Sequence, residues 1–389
     1  MGFRYVILGA GRQGTAAAYD LARYGDADMI LLADAELERA EASAMRVNAL
    51  VGLRKAEGKA LDVRDADRVS ELLRNFDVCL SAAPYYFNSV IASAALQARC
   101  SMCDLGGNTQ VVWEELALDP QAQAVGITIV PDCGVGPGLI SNLAVYAMEQ
   151  LDTPQEVLIY DGGLPQNPRP PFNYTLFFNI AGLTNEYYGN ALYLVDGKAT
   201  PTPCWDEREY ELIDIPQLGQ LEAFVTSGGL STMITTFGGK LKTLKNKTMR
   251  YPGHFQFMKG LADLGMLELE PVQVGDQRIV PRHVLHALLG PRITPRPGDR
   301  DLMAIHIVAR GEKEGKPAQV TLDLLDRYNE TTGFSAMERT TGFHLAIVAA
   351  MIAHGKTPHG AVPLERAVSA RRIVEALDQR GMQVEVKVS

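Results

Sequence analysis

The segment Gly9-Ala10-Gly11-Arg12-Gln13-Gly14 constrains the fold of this chain more than any other feature. An apolar run, Phe3–Leu8, leads into it, and a stretch of helical character, Thr15–Arg23, follows. A second apolar run, Met29–Ala33, closes on Asp34, twenty residues beyond Gly14. Strand, glycine turn, helix and strand make a βαβ unit, in which a crossover helix joins two parallel strands. Gly9 permits the tight turn, Gly11 lets backbone approach a pyrophosphate, and Gly14 lets helix and strand pack closely. The helix start, with Arg12 and Gln13, offers N–H groups and a positive dipole end to phosphates. Asp34 is placed to accept hydrogen bonds from ribose hydroxyls and to repel a 2′-phosphate, so the expected cofactor is NAD rather than NADP.

The same rhythm runs on. Leu37–Leu50 reads as helix, Lys59–Leu61 as a short strand ahead of Asp62, and Ala66–Arg74 as helix. Strands are expected at Asp77–Ala82, Ser101–Asp104 and Ile127–Val130, with helices at Asn88–Ala98 and Trp113–Ala124. This alternation predicts an α/β fold, a Rossmann-type doubly wound parallel sheet. Ligands of such sheets bind at the C-terminal strand ends. Ala82 and Ala83 of Ser81–Pro84, and Asp104 and Gly106 of Asp104–Asn108, therefore join Asp62 as expected cofactor contacts.

After Pro131 the pattern changes. Gly134–Gly138 is a second glycine-rich turn opening a helix over Leu139–Gln150, and Glu156–Val320 mixes strands with long loops. That mixture predicts an inserted α+β substrate domain built on an antiparallel sheet. The apolar helix Thr340–His354 is expected to return to the first domain. The predicted division is 1–133 for cofactor, 134–335 for substrate, and 336–389 as a returning helical segment, consistent with 389 residues being too many for one core.

Charge excludes some functions. With 37 basic against 46 acidic side chains, net −9, the chain lacks the basic surface that nucleic acid requires. Its most notable apolar run, Leu345–Ala353, is far short of the ~20 residues a membrane span needs. The N-terminus enters a strand without room for a signal peptide, and Val6 stands where myristoylation wants Ser or Thr, so the expected location is cytoplasmic. Five cysteines, Cys79, Cys100, Cys103, Cys133 and Cys204, read as structural thiols. The seven histidines show no metal-ligand spacing, so no metal is expected.

Several blocks carry a resemblance. Asp104–Gly107, Pro131–Gly138, Gly162-Gly163 with Pro170-Pro171, Leu221–Thr232 and Met249–His254 are similar to segments of the saccharopine dehydrogenase superfamily. The similarity is greatest to members that remove the terminal amine of L-lysine with NAD. The resemblance implies an amino-acid substrate held in a cleft between two domains, and with the apolar content it predicts a homodimer or larger homo-oligomer. Hydride transfer from an amine needs the neutral amine, and a free lysine ammonium has a pKa of about 10.4, so the site must supply a base or a dry surface. His254 and Asp132 are the candidate bases, Arg250 the clamp for the substrate carboxylate, and Tyr174 and Thr232 further polar contacts. Alternatives are a saccharopine or carboxynorspermidine dehydrogenase, and a non-catalytic NAD-binding regulatory protein.

Overall fold

A computed structural model describes residues 2–389. Six strands come first: β1 (Phe3–Leu8), β2 (Ala27–Asp34), β3 (Ala56–Ala60), β4 (Val78–Ser81), β5 (Ser101–Asp104) and β6 (Thr128–Val130). Next are β7 (Thr153–Pro165), β8 (Asn190–Val195), β9 (Lys198–Pro203), β10 (Glu211–Ile215), β11 (Gly219–Val225) and β12 (Thr243–Arg250). The hairpin β13 (Val272–Val274) and β14 (Gln277–Ile279) precedes β15 (Asp301–Lys313), β16 (Lys316–Arg327), β17 (Gly360–Ala361) and β18 (Val384–Val388).

The chain divides into two compact units. The first is Met1–Tyr146 with Asn329–Phe334 and Glu338–Gly381; the second is Ala147–Tyr328 with Ser335–Met337 and Met382–Ser389. The first boundary thus falls thirteen residues after the expected one, inside the helix Leu139–Met148. The last residues also differ from expectation, because β18 pairs antiparallel with β16 of the second unit instead of continuing a helical segment. The reason is legible in Val384-Glu385-Val386-Lys387-Val388, whose two-residue alternation suits a strand.

The first unit holds a seven-stranded sheet in the order β17-β6-β5-β4-β1-β2-β3, parallel throughout. Helices pack on it through Val6, Leu31, Val69, Ile91, Met102 and Ile129, all buried. Each such side chain contributes about 1.5–3 kcal/mol of burial free energy. Strand order reverses between β1 and β4, the position where open α/β sheets leave a crevice. Gly342 lets the returning segment lie against the helix Arg12–Tyr24, since a Cβ there would sit 2.7 Å from the Ala16 side chain and the Gln13 carbonyl. Trp113–Ala124, expected as one helix, is two: Thr109–Leu116, capped by the Asn108 side chain, and Asp119–Val125, which Pro120 starts afresh.

The second unit is built on a nine-stranded sheet, β10-β11-β12-β7-β15-β16-β18, with β8 and β9 attached to β12. It is mostly antiparallel as expected, but β7 and β12 run parallel. Aromatic side chains Tyr174, Tyr187, Trp205, Phe224 and Phe255 form a core between this sheet and the helices His254–Asp263 and Pro281–Ile293.

Candidate functional sites in each unit

In the first unit the glycine turn meets the switch point. Gly9 has φ +104°, and a Cβ there would lie 2.6 Å from the carbonyl oxygen of Ala82, at the end of β4. Gly14 is tighter still, with a Cβ position 2.0 Å from the Gly9 carbonyl oxygen. Gly11 is the opposite case, because nothing lies within 4 Å of its Cβ position. The helix Arg12–Tyr24 begins there with no side-chain cap. Its first N–H groups are therefore open to an anion above Gly11. Thr15 and Ser43 brace the turn from below, donating to the Gly11 and Ala10 carbonyls respectively at 2.8 and 2.9 Å. These features fit a dinucleotide, with Gly9, Gly11, Gly14 and the Arg12 and Gln13 backbone around the diphosphate. The Arg12 side chain itself pairs with Glu338 at 3.1 Å.

Asp34 ends β2 with both carboxylate oxygens in use. Oδ2 accepts from the Ala10 N–H at 2.9 Å and Oδ1 from the Glu36 N–H at 3.0 Å, which ties the glycine turn to the strand end. Arg39 stands 3.5 Å from Asp34 and 2.9 Å from Glu36. Asp62, beyond β3, is half-buried and gripped by Arg64 at 2.5–2.9 Å, and those hydrogen bonds hold its carboxyl down to about 2.

A buried polar edge follows β5 and β6. Asp104 accepts from the Gly106 N–H at 2.6 Å and from Asn88 at 3.0 Å, and Asn88 in turn accepts from Ser81 at 2.8 Å. Asp132, buried and with φ +62°, places its carboxylate against Gly106, where a Cβ would lie 2.1 Å from Oδ1. A left-handed backbone at a non-glycine residue is one sign of a built site, and Asp tolerates it better than most. Sequence reasoning missed Glu115, which is fully buried. Burial first, and then the neighbouring Asp104 charge, raise its pKa, so that Glu115 keeps its proton beside Asp104. His344 is also buried and held down to about 4 by desolvation. Its Nδ1 lies 2.9 Å from the Cys133 carbonyl and its Nε2 2.8 Å from Oδ1 of Asn142. Cys133 is buried with its thiol pushed up by desolvation, an inert position for a nucleophile. Among the described residues no group of three His, Cys, Asp or Glu side chains is arranged to hold a metal, and no helix is long and apolar enough to cross a membrane.

The Glu115 proton has a consequence for stability. The folded state holds it more tightly than the unfolded chain, whose glutamate titrates near 4.5, so folding is increasingly penalised as pH rises above that value. Glu115→Gln keeps a donor for Asp104 without the titration. We expect its Tm to exceed that of the parent by about 2–4 °C at pH 8, with the gap closing towards pH 4. A Tm at pH 8 below the parent's would show that Glu115 is ionised in the native state.

In the second unit a polar face forms where β7, β11 and β12 lie side by side. Pairing places Asp161 opposite Thr248 and Glu222 opposite Arg250, so residues 89 apart in sequence share one surface. Arg250 is 3% exposed. Its Nε donates to the Tyr187 hydroxyl at 3.0 Å and Nη1 to its neighbour's carbonyl, that of Met249, at 2.8 Å. The guanidinium also lies 4.9 Å from the centre of the Tyr174 ring. Tyr187 lies 2.9 Å from Nε2 of His254, whose Nδ1 lies 3.2 Å from the Phe172 carbonyl. A carbonyl only accepts, so Nδ1 carries the hydrogen and Nε2 takes the Tyr187 proton. The chain of donation runs Arg250, Tyr187, His254, Phe172.

This order alters the expected role of His254. Both ring nitrogens are committed, and burial, with the Arg250 charge second, lowers its pKa to about 3. The ring orients Tyr187 and has no lone pair to offer a substrate. Arg250, Tyr174 and His254 are thus brought together as expected. Thr232 is buried at the start of the short helix Met233–Phe237, after the Gly228-Gly229 turn that packs on Asn246. Three members of the face went unread in the sequence: Tyr187, Asp161 and Glu186. Asp161 accepts from Asn246 at 2.7 Å, and burial is the largest cause of its raised pKa. Glu186, ending the helix Ile180–Glu186, is pushed up to about 7, by burial first and against the pull of Arg250.

A doubly wound sheet with an open glycine turn, joined to a sheet-based unit bearing a buried arginine, defines a dinucleotide-binding dehydrogenase architecture. The comparisons narrow it. Residues 5–130 match the saccharopine dehydrogenase NADP binding domain and residues 134–382 the saccharopine dehydrogenase C-terminal domain. The chain belongs to the saccharopine dehydrogenase family and carries its NAD(P)-binding domain. It is 24% identical over 263 residues to saccharopine dehydrogenase (NADP+, L-glutamate-forming) of Saccharomyces cerevisiae, a match covering 63% of this chain and 55% of the yeast protein. It is 24% identical over 380 residues to carboxynorspermidine synthase of Vibrio alginolyticus, covering 90% of this chain and 88% of that one. A solved structure of the yeast saccharopine dehydrogenase (L-Glu forming) superposes with a TM-score of 0.80 at 20% identity over the full length of both chains.

Proposed function

We propose that this protein is an NAD-dependent dehydrogenase acting on the terminal amine of L-lysine, yielding 2-aminoadipate 6-semialdehyde, ammonia and NADH. The observation that carries the reading is Arg250, a buried guanidinium with Nε and Nη1 occupied and part of its fork left for one carboxylate. One such clamp suits a substrate with a single carboxylate better than saccharopine, which brings three. Bound NAD would supply the hydride acceptor. Two acidic side chains meet its ribose-binding corner, Asp34 and Glu36, and both already claim Arg39, the nearby cation that a 2′-phosphate would need. The reacting ammonium must lose a proton, and with the His254 ring committed we assign that task to Asp132.

The test is a panel of lysine, saccharopine and carboxynorspermidine with NAD and NADP, read by absorbance and released ammonia. Lysine with NAD should give both signals, and Asp132→Asn should cut kcat by about 100-fold or more while NAD still binds. Turnover of saccharopine without lysine activity would overturn the substrate, and an unchanged kcat in Asp132→Asn would overturn the base. The 90% coverage by the Vibrio relative supports a second reading, oxidation of carboxynorspermidine with NADP, which the same panel separates.

A further inference from the structure

Two partners are missing from the polar face of the second unit. Arg250 is almost completely buried, yet among the described residues no carboxylate lies within the 4 Å of an ion pair. Burying a cation without a counter-ion is expensive, and a site that does so awaits an anion. Glu186 is the complementary case: no donor among the described residues bonds its carboxylate, and it ends a helix, where the dipole adds negative potential. Asp161 on β7, next to β12, adds a second negative group within the field of Arg250.

We infer that Asp161 and Glu186 seat the α-ammonium of the substrate while Arg250 takes its carboxylate, so that this face recognises a free α-amino acid headgroup. The inference rests on reading the face as the substrate site. In an amino acid the ammonium nitrogen lies about 3 Å from the carboxylate oxygens, so its seat must flank the clamp. Asp161 does so from β7, where the register sets it opposite Thr248, two residues before Arg250 on β12, and Glu186 does so as the residue before Tyr187, whose hydroxyl accepts from Arg250. A terminal amine four methylenes away would lie well beyond them. The groups facing Glu186 are Arg250 on β12 and Asp161 on β7. Tyr174 and Tyr187 are pushed up by burial and His254 down, so all three stay neutral near pH 7. An arriving ammonium therefore acts chiefly on the two acids, and a protonated Glu186 gives up its proton as the headgroup binds.

Norleucine and hexanoate are the probes, since they share a chain and a carboxylate and differ in the α-ammonium. The full-length protein should bind norleucine at least tenfold more tightly than hexanoate. Glu186→Gln and Asp161→Asn should bring the ratio to within about threefold, leaving hexanoate affinity unchanged or improved. Calorimetry of norleucine binding near pH 6.5, in buffers of different ionisation enthalpy, should show net proton release from the unmodified protein, which needs no variant to fold. A preference that survives in both variants, equal weakening of both probes, or no proton release would each overturn the inference. If lysine is not oxidised but the norleucine preference depends on Glu186, the headgroup seat stands and the proposed reaction falls. If lysine is oxidised and the preference ignores both acids, only the seat falls.

Discussion

Arg250→Ala is expected to lower kcat/KM for lysine by about 100- to 1,000-fold while moving the Kd of NAD by less than about twofold. The size follows from burial. An exposed arginine on a carboxylate contributes little, but truncating one side of a desolvated, hydrogen-bonded charge pair costs about 2–5 kcal/mol. The guanidinium here is 3% exposed and begins the donation chain through Tyr187 to His254. Its loss also removes the cation that restrains the pKa values of Asp161 and Glu186, so both acids should hold protons further into the neutral range. The pH profile of kcat/KM should then shift upward along with the fall in rate. Arg250→Lys should recover at most about tenfold, because an ammonium keeps the charge but not the planar fork or the ring contacts. Equal losses for lysine and NAD would assign Arg250 to the fold rather than to the substrate.

The difference between what could and could not be read in the sequence follows from the range of the interactions. The first unit was legible because its signals are local: an apolar run, a glycine turn at fixed spacing, a helix, and an acid at the next strand end. Phe3–Leu8, Asn88–Ala98 and Ser101–Asp104 fall at the expected bounds for that reason. The face around Arg250 is assembled by sheet register. Asp161 reaches it through the parallel pairing of β7 with β12, across helices, two hairpins and long loops. Glu186 and Tyr187 arrive at a helix end whose packing no local pattern announces. His254 reads in the sequence as a base, and only its burial and partners, which no local pattern states, distinguish that role from an orienting imidazole. Glu115 was invisible for a similar reason, because in sequence it is one half of an ordinary Glu114-Glu115 pair on a helix.

The second large effect separates the two roles that the glycine motif gives to Gly11 and Gly14. Gly14→Ala should lower Tm on the order of 10 °C, because its Cβ would lie 2.0 Å from the Gly9 carbonyl oxygen and 3.2 Å from the Ile7 side chain, where backbone and a buried strand leave no slack. The turn must shift to accept it, and NAD affinity falls as a consequence of the damaged fold. Gly11→Ala should do the reverse. Gly11 already has φ −74°, a value any residue adopts, and its Cβ position is empty to 4 Å, so Tm should stay within about 1 °C of the parent. The empty space is where the diphosphate must approach the helix N-terminus, so the added methyl should weaken NAD binding by about 10- to 100-fold. Thermal melts and NAD titrations on the two variants decide the matter together. A Gly11→Ala protein with unchanged NAD affinity would mean that the diphosphate does not pass over this turn. A Gly14→Ala protein with the parent Tm would mean that the close helix–strand approach carries none of the stability assigned to it.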